Sequence, residues 1–395
     1  MLLEEFENVP AVIEPTDRSL LSGGEICDTI ILSFNGEIVE RVKQFEDVYE
    51  GGYLTNLNGR FPWYIYEKDG SKVAVAIATI GAPMVVGLLE ELKERGFKNF
   101  IVLGSCGVLD QSIQADKIIL PSSALRDEGT SYHYAPASDE IAYDETLLLT
   151  IEEALNKSDI EHIRTKAWTT DAFYRETADK VKRRLAAGAT VVDMEASAIM
   201  AWAQFRQAKV YQFFYTADYV DHHNHEWDAR YEERKADAMT FFEIALVIAG
   251  DLELEPEKIK DISDMIISYE DINFERFDLG KFNRDELSYI FRIGDFKLKS
   301  NKINISGLTN TYNKEFKAKL TEFSDTIRSE HELKFYNWTQ DLGSLIKSNI
   351  IEFSPELKEL DRKIEKISRE IYSLEIQQKQ ITAYVTQIKR MISWK

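Results

Sequence analysis

Short runs of β-branched and apolar residues alternate with longer stretches of helical periodicity over the first 255 residues. Two clear helical stretches are Pro83–Arg95 and Thr146–Asn156. The predicted strands are Thr29–Phe34, Lys72–Ile80, Asn99–Leu103, Lys117–Leu120, Thr190–Val192 and Val210–Tyr215. Such alternation is typical of an α/β domain, in which helices cover both faces of a sheet. We therefore predict one α/β domain over residues 1–255.

The pattern changes after a charged segment that contains a proline, Asp251–Lys258. Residues 256–350 combine a short alternating stretch, Phe296–Ile305, with an amphipathic helical pattern that follows it. This region is predicted to be a mixed, mainly helical accessory domain.

Apolar residues recur at seven-residue spacing near the end of the chain, after the helix-start signal of Ser354 and Pro355. One series is Leu357, Ile364, Ile371, Gln378, Val385 and Ile392, and the second is Leu360, Ile367, Leu374, Ile381 and Ile388. Two such series define the a and d positions of a coiled coil. Residues 351–395 are therefore predicted to be a coiled-coil helix, with a long helix packed on its own domain as the alternative.

Composition narrows the classes of protein and partner. Of the 395 residues, 44% are hydrophobic and 29% are charged, and the net charge is −20. Sequence-independent binding of nucleic acid needs phosphate neutralisation, so nucleic acid is not expected as a partner. Two cysteines, Cys27 and Cys106, cannot build a disulfide framework. The acidic N-terminus lacks signal-peptide character. The longest apolar run, Phe241–Gly250, is too short to span a bilayer. We expect a cytoplasmic protein without a membrane partner.

Two carboxylates interrupt the strand-to-helix junction of Ala189–Ala203. Asp193 and Glu195 lie on either side of Met194, and an alanine-rich helix follows. A buried, unpaired charge is costly, so these acids need a role. Either they cap the helix, since acids favour a helix N-terminus, or Glu195 binds a pair of ligand hydroxyls at the end of the sheet, where α/β folds bind their ligands.

Asp-Met-Glu-Ala before an alanine-rich helix resembles the signature of the nucleoside phosphorylase and nucleosidase superfamily, and the resemblance extends over residues 11–254. It implies a twisted mixed β-sheet flanked by helices, and a nucleoside or nucleotide as the small-molecule substrate. It also implies that Glu195 binds the ribose hydroxyls and that Met194 lies against the sugar.

The segment after the strand at 100–103 contains only small residues, Gly104, Ser105, Cys106 and Gly107, and predicts a tight turn. Glycine lets backbone N–H groups approach a ligand closely. The segment resembles the glycine-rich loop beside the ribose in the family. Ser105 is therefore predicted to hold the ribose or the nucleophile, and Gly104 and Gly107 to contact the ligand. Cys106 is interpreted as structural, because small buried cysteines behave as apolar residues.

Two polar segments carry further candidates. The resemblance places Arg126–Tyr134 next to the active site and makes Arg126 and His133 candidate ligand contacts, with a solvated loop as the alternative. Trp168–Thr177 resembles a base pocket in which an aromatic ring stacks on the nucleobase. Its candidate base-binding residues are Phe173, Tyr174 and Arg175. A core position for Phe173 is the alternative.

Acidic residues follow the predicted strand Val210–Tyr215. Asp218 matches the residue that protonates N7 of the base in purine-specific members of the family, so the resemblance favours a purine. General acid catalysis of this kind contributes roughly 10²–10⁴-fold, whereas a turn cap is the alternative role. The histidines of 221–226 do not match the spacing of zinc motifs. No metal and no cofactor is predicted.

The chain departs from the family where phosphate is bound. A glycine and three arginines of the phosphorylases are replaced, at Phe34, Ile38, Gly51 and Val102. Phosphate recognition depends on charge-assisted contacts, so water is the predicted nucleophile, as in the nucleosidase branch. Arg41 or Arg60 could substitute for the missing cations.

The sequence therefore predicts a nucleoside N-glycosidase in which Glu195 orients the ribose and Asp218 protonates a purine base. Phosphorolysis of uridine or of a purine nucleoside is the alternative. A nucleotide-sensing or nucleotide-depleting defence effector is a second alternative, suggested by the coiled-coil tail. A homo-oligomer is expected, either a dimer or a hexamer of the catalytic domain, and the C-terminal region could bind a protein partner.

Overall fold

The computed structural model describes residues 4–15, 24–56, 59–68, 71–113, 117–158, 160–221, 226–228 and 238–253, with a few helical positions between 287 and 386. The predicted boundaries at residues 255 and 350 lie outside the described residues. So do the histidines of 222–225 and nearly all of the predicted accessory domain.

Eleven strands and six α-helices are described. The strands are β1 (Thr29–Ser33), β2 (Val48–Asn56), β3 (Gly59–Lys68), β4 (Ser71–Ile77), β5 (Asn99–Val108), β6 (Ile118–Asp127), β7 (Glu140–Ala142), β8 (His162–Thr170), β9 (Ala189–Asp193), β10 (Lys209–Asp221) and β11 (Glu226–Asp228). The helices are α1 (Gly36–Val42), α2 (Ala82–Arg95), α3 (Glu145–Lys157), α4 (Ala178–Ala186), α5 (Ala196–Arg206) and α6 (Ala238–Glu253). Two short 3₁₀ helices occupy Thr130–His133 and Phe173–Arg175.

The strands form one mixed sheet that closes on itself in part. β5 pairs with β10, β10 with β6, β6 with β8, β8 with β9, and β9 again with β5. From β5 the sheet extends through β1, β4 and β3 to β2, while β7 pairs with β6 and β11 with β10. Parallel and antiparallel pairs are both present, which confirms the predicted mixed α/β sheet.

The apolar strands lie at the centre of this sheet. All five residues of β1 are buried, and β1 pairs in parallel with β4 on one side and β5 on the other. A strand that is covered on both faces needs a continuous apolar run rather than alternation. Thr29–Ser33 satisfies this condition with a β-branched run, and its register sets Leu32 beside Val102 of β5.

The predicted turn at residues 104–107 is wrong, because β5 continues as a strand to Val108. Gly107 pairs with Val192 of β9 on one side and with Asp218 of β10 on the other. A Cβ at Gly107 would lie 2.9 Å from Cγ1 of Val192. Glycine inside a strand marks such a close approach. The small residues therefore let two strands converge on β5 instead of turning the chain.

Helix α5 is buried nearly all round. Every residue from Ala196 to Trp202 is buried, and a helix without a polar face belongs in a protein interior. The alanine-rich composition lets this helix lie close to the sheet. Its partner α2 begins with Pro83 in the first turn and ends at Gly96 in the left-handed conformation, as helix-end preferences predict.

The C-terminal seam is described at only a few positions. The chain is helical at residues 372–376 and 381–383, where Leu374 is half-buried and Ile381 is 5% exposed, whereas Tyr372 is 66% exposed. This difference follows the heptad pattern, and a coiled coil stays a prediction. None of the described helices is long and apolar enough to cross a membrane.

Candidate active site

The carboxylate of Asp193 caps the N-terminus of α5. Its Oδ2 accepts the backbone N–H groups of Glu195 and Ala196 at 2.8 and 2.5 Å, and its Oδ1 accepts the hydroxyl of Thr169 at 2.7 Å. Thr169 itself accepts the N–H of Ser197, so β8, β9 and α5 are tied together. Burial still raises the pKa of Asp193 above its usual range. The capping interpretation is therefore correct for Asp193.

The side chain of Glu195 makes no cap for α5. Its Oε1 accepts the backbone N–H of Gly81 at 2.7 Å, from the turn between β4 and α2. Gly81 has a φ of 94°, a conformation that favours glycine. Glu195 is 8% exposed, and burial together with the charge of Asp193 raises its pKa well above the usual range. Because hydrogen-bond donors favour an ionised carboxylate, ligand hydroxyls are suitable partners for Glu195.

Strand β5 opens to solvent at Ser105. Every other residue of β5 is buried or half-buried, including Gly104 and Gly107. Because Ser105 is exposed in the middle of a buried strand, the elements that pack on this face of the sheet leave an opening there. Met194, beside Glu195, is half-buried. The Cys106 thiol is fully buried, which raises its pKa well above its usual value and agrees with a structural role.

Asp218 lies inside β10 rather than after it. The register of β10 against β5 shifts between Thr216 and Asp218, so that Asp218 pairs with Gly107. Bulges of this kind re-aim side chains near functional sites. A Cβ at Gly107 would lie 3.6 Å from Oδ2 of Asp218. The same oxygen accepts the indole N–H of Trp227, on β11, at 2.7 Å.

The predicted base-binding residues lie on the short 3₁₀ helix before α4. Phe173 is 50% exposed and Tyr174 is 87% exposed, with ring centroids 4.0 Å apart. Phe173 therefore does not belong to the core. Arg175 is also exposed. The next residue, Glu176, is half-buried, and burial together with the charge of Asp218 raises its pKa to about 7.

Arg126 is buried within its own loop. Its guanidinium donates to the hydroxyl of Ser131 at 2.8 Å, to the carbonyl of Pro136 at 2.6 Å, and to two further groups within residues 135–138. These bonds hold the loop in place, so the alternative of a solvated segment is wrong for Arg126. His133 is exposed. Ligand contact by either residue stays a prediction.

Acidic side chains surround the edge of the sheet at which β9 and β10 flank Gly107 of β5. Glu128 is buried, accepts the hydroxyl of Ser197 at 2.8 Å and accepts the N–H of Ser131 at 3.0 Å. Asp171 accepts the N–H of Gly129 at 3.1 Å, and burial raises its pKa. With the residues above, the acids of this edge are Glu128, Asp171, Glu176, Asp193, Glu195 and Asp218.

The four positions that replace the phosphate-binding residues carry no cation. Ile38 and Val102 are fully buried in the core, and Gly51 lies inside β2. The ring of Phe34 lies against β5, since a Cβ at Gly104 would be 3.0 Å from its Cδ2. An aromatic ring therefore occupies the space beside the small-residue segment.

The two arginines that could substitute already have carboxylate partners. Arg41 donates to Glu37 of the same helix at 2.6 Å, and Arg60 forms an ion pair with Glu50 across the β2–β3 pair.

A family model described as the phosphorylase superfamily matches residues 28–248, which is more than half of the chain and includes all the described strands. The chain belongs to the phosphorylase superfamily. This result confirms the family that the Asp-Met-Glu-Ala motif predicts.

Several named proteins are similar to this superfamily member. The guanosine phosphorylase of Halorubrum lacusprofundi is 26% identical over 164 residues, which cover 42% of this chain and 68% of that protein. A DeoD-type purine nucleoside phosphorylase of Bacillus cytotoxicus is 30% identical over 142 residues, which cover 34% of this chain and 58% of that protein. The chain thus spans little more than half the length of the DeoD-type relatives.

Among solved structures, uridine phosphorylase from Vibrio fischeri is similar to this chain, with 22% identity and a TM-score of 0.48. The similarity covers 58% of this chain and 92% of that protein. Purine nucleoside phosphorylase from Toxoplasma gondii has 19% identity and a TM-score of 0.47.

Four groups of the candidate active site were not predicted from the sequence. They are Gly81, Thr169, Glu176 and Trp227. Gly81 carried a usable signal, because a glycine just before Pro83 predicts a strand-to-helix turn. Thr169 and Trp227 carried none, since their partners are 24 and 9 residues away in the chain. Among the described residues, no cluster of three His, Cys, Asp or Glu side chains could hold a metal ion.

Proposed function

We propose that the chain cleaves the N-glycosidic bond of a purine nucleoside or nucleotide with water as the nucleophile. The supporting observation is that Asp218 lies in β10 and Glu195 follows β9 by two residues, and that these two strands flank the same end of β5. Two strand spacings separate the backbones of β9 and β10 there by roughly 10 Å. Side chains that extend from both sides can therefore contact the ribose and the base of one nucleoside bound between them.

The ribose end of the proposed reaction uses Glu195. Its buried carboxylate accepts the ribose hydroxyls, which supply the donors that stabilise its ionised form. As the bond between C1′ and the base lengthens, the sugar becomes positively charged. A fixed negative charge then stabilises the transition state more than the ground state. A water molecule beside the exposed hydroxyl of Ser105 attacks C1′.

The base end uses Asp218. Protonation of N7 makes the base a neutral leaving group, so that C1′ can accept the water oxygen as the bond to the base breaks. The water loses one proton and the base gains one, which balances the reaction. The exposed ring of Phe173 offers an apolar face for the base, and Arg175 supplies a cation on the same turn.

The electrostatics of the edge favour water over orthophosphate. A phosphate dianion needs cations or several N–H donors, whereas the groups described here are mostly carboxylates. Three nearby cations already have partners: Arg126 is bonded within its loop, and Lys180 and Arg184 both lie near Asp127, at 3.3 and 3.2 Å. The ring of Phe34 fills the space beside Gly104.

Product analysis tests this proposal. The purified chain is incubated with adenosine, guanosine, inosine and uridine, with and without orthophosphate, and the sugar product is identified. We expect free ribose at the same rate in both conditions, and incorporation of labelled oxygen from water at C1. The Glu195→Gln variant is the control for contaminating enzymes. Ribose 1-phosphate formed only with orthophosphate would exclude the hydrolytic reaction.

Phosphorolysis is the second candidate, because the relatives in the comparison are named guanosine and purine nucleoside phosphorylases. It requires a phosphate site built from groups other than the usual arginines. The same product analysis separates the two candidates.

A further inference from the structure

The N-terminal segment of residues 4–15 is attached to the α/β domain at its two ends. The ring of Phe6 lies edge to face against the ring of Phe205, with centroids 6.2 Å apart. A carboxylate oxygen of Glu14 accepts an N–H of the Arg206 guanidinium at 3.3 Å. All residues between Phe6 and Glu14 are exposed. A segment with so few buried contacts opens at a low free-energy cost, and we call it the N-terminal strap.

The residues that hold the strap, Phe205 and Arg206, end helix α5 and also contact two other elements. Nε of Arg206 donates to the two oxygens of Glu90, in α2, at 3.0 and 2.9 Å. One of these oxygens accepts the hydroxyl of Tyr134 at 3.1 Å. The ring of Tyr134, which follows the 3₁₀ helix Thr130–His133, lies edge to face against Phe205 with centroids 5.6 Å apart. We call Glu90, Tyr134, Phe205 and Arg206 the Arg206 cluster.

The elements that meet at the Arg206 cluster also build the proposed ribose end of the site. Helix α2 follows Gly81 and helix α5 follows Glu195, whose carboxylate accepts the N–H of Gly81 at 2.7 Å. The segment before Tyr134 contains Glu128, which accepts a hydroxyl from the first turn of α5 at 2.8 Å. The rise of an α-helix places the cluster roughly 15 Å from the contact between Glu195 and Gly81. Helices α2 and α5 are thus joined at both ends.

We propose that Arg206 is a positioning residue for Glu195, and that the strap regulates it. With the strap docked, Arg206 lies between the carboxylates of Glu14 and Glu90, and the joined helices hold Glu195 in place. When the strap lifts, the cluster loses the carboxylate of Glu14 and an aromatic neighbour, so α2 and α5 are joined less firmly. Rigid secondary structure transmits such a change to a distant site. The inference rests on the proposed function, in which Glu195 binds the ribose.

The contacts of the strap are weak enough to be reversible. The side chains of Arg206 and Glu14 are 28% and 32% exposed, and an ion pair of this exposure contributes little and is screened by salt. An edge-to-face ring pair adds a modest amount. The side chain of Glu90 is only 11% exposed, and leaving such a carboxylate unpaired is costly. The pair of Arg206 and Glu90 therefore persists while the strap docks and lifts.

Hydrogen exchange of the whole protein tests the inference without catalysis. Phe6→Ala and Glu14→Gln each remove one end contact of the strap. In both variants we expect the N–H groups of Gly81 and of residues 130–134 to exchange roughly two- to tenfold faster than in the wild type, because each contact changes the docking equilibrium by about that factor.

Two matched controls change exposed side chains of the same strap. Val12→Ala and Glu7→Gln alter neither end contact and should keep the wild-type exchange at Gly81. Phe6→Tyr retains an aromatic ring and should restore the protection that Phe6→Ala loses.

The kinetics of nucleoside cleavage are the second readout. Glu14→Gln and Arg206→Lys should each lower kcat roughly two- to tenfold with a smaller change in KM, because Glu195 acts mainly in the transition state. Lysine keeps a charge for Glu90 but lacks the second nitrogen that reaches Glu14, so the double variant should lose no more than either single variant. High salt should lower wild-type kcat by a similar factor and leave that of Glu14→Gln unchanged. A purely structural loss would instead add to the effect of salt.

The outcomes separate this inference from the proposed function. Faster exchange at Gly81 in both strap variants, without cleavage of any nucleoside, supports the coupling and overturns the proposed reaction. Cleavage with wild-type kcat and wild-type exchange at Gly81 in both strap variants overturns the coupling and leaves the reaction standing. Faster exchange that is confined to the strap itself also overturns the coupling.

Discussion

The sugar end and the base end of the proposed site are built in different ways. At the sugar end, Asp193 and Glu195 are buried and receive backbone N–H groups from α5 and from the turn at Gly81. At the base end, Phe173 and Trp227 are half exposed or more, and they lie on a short 3₁₀ helix and a three-residue strand. On the proposed function, recognition of the ribose is therefore preformed by secondary structure, whereas recognition of the base depends on a few exposed side chains.

This difference has a physical reason. A buried carboxylate needs fixed hydrogen bonds, because desolvation is costly, and backbone groups at a helix start provide them. An aromatic ring that stacks on a base needs only an apolar face, and it can remain exposed until the ligand arrives. The comparison implies that the site accepts a narrow range of sugars and a wider range of bases. Three variants test this difference.

Asp218→Asn is expected to give the largest change. It should lower kcat for purine nucleosides roughly 10²–10⁴-fold, because the base loses its general acid. Asparagine still offers an oxygen to Trp227, so the fold should be retained. A nitrophenyl riboside, whose leaving group needs no proton, should be cleaved at nearly the wild-type rate. Steady-state kinetics with both substrates measure this, and an equal loss for both would contradict the role of Asp218.

Glu195→Ala is expected to lower kcat/KM roughly 10²–10³-fold, the usual effect of removing one electrostatic stabiliser of a transition state. The loss should be the same for purine nucleosides and for the nitrophenyl riboside, because both contain the ribose. Circular dichroism should show an intact fold, since Asp193 and not Glu195 caps α5. A loss confined to purine nucleosides would place Glu195 at the base end instead.

Phe173→Ala should have the smallest effect of the three. Stacking of a base on an aromatic ring contributes about 1–3 kcal/mol, and half of this ring is already exposed, so we expect KM for purines to rise about tenfold with little change in kcat. Tyr174→Ala, which removes the more exposed ring of the pair, is the matched control and should change KM less. An unchanged KM in Phe173→Ala would mean that the base binds elsewhere.

The sheet could be predicted because its central strands are apolar throughout. Thr29–Phe34 and Asn99–Leu103 were predictable for this reason: β1 contains all of the first run except Phe34, and β5 contains the whole of the second. The continuation of β5 through Gly104 was not predictable, since small residues predict a turn when strand partners are unknown. The same limit applies to β10, which reaches Asp221 because β5 and β11 pair with its second half.

The site was predictable where one local motif contains it. Asp193 and Glu195 are two residues apart, so the motif indicated both, although only the structure separates the cap from the buried carboxylate that reaches Gly81. Glu176 was not predictable. Its raised pKa depends on burial and on the charge of Asp218, which is 42 residues later in the chain.

The ring of Phe34 against Gly104 bears on the reversibility of the chemistry. Phosphorolysis conserves the energy of the glycosidic bond in a sugar phosphate, from which a cell can rebuild the nucleoside. Transfer to water, the bulk solvent, discards that energy and runs in one direction only. On the proposed reaction, this ring and the loss of the three arginines turn an exchange between two metabolite pools into an irreversible loss from one of them.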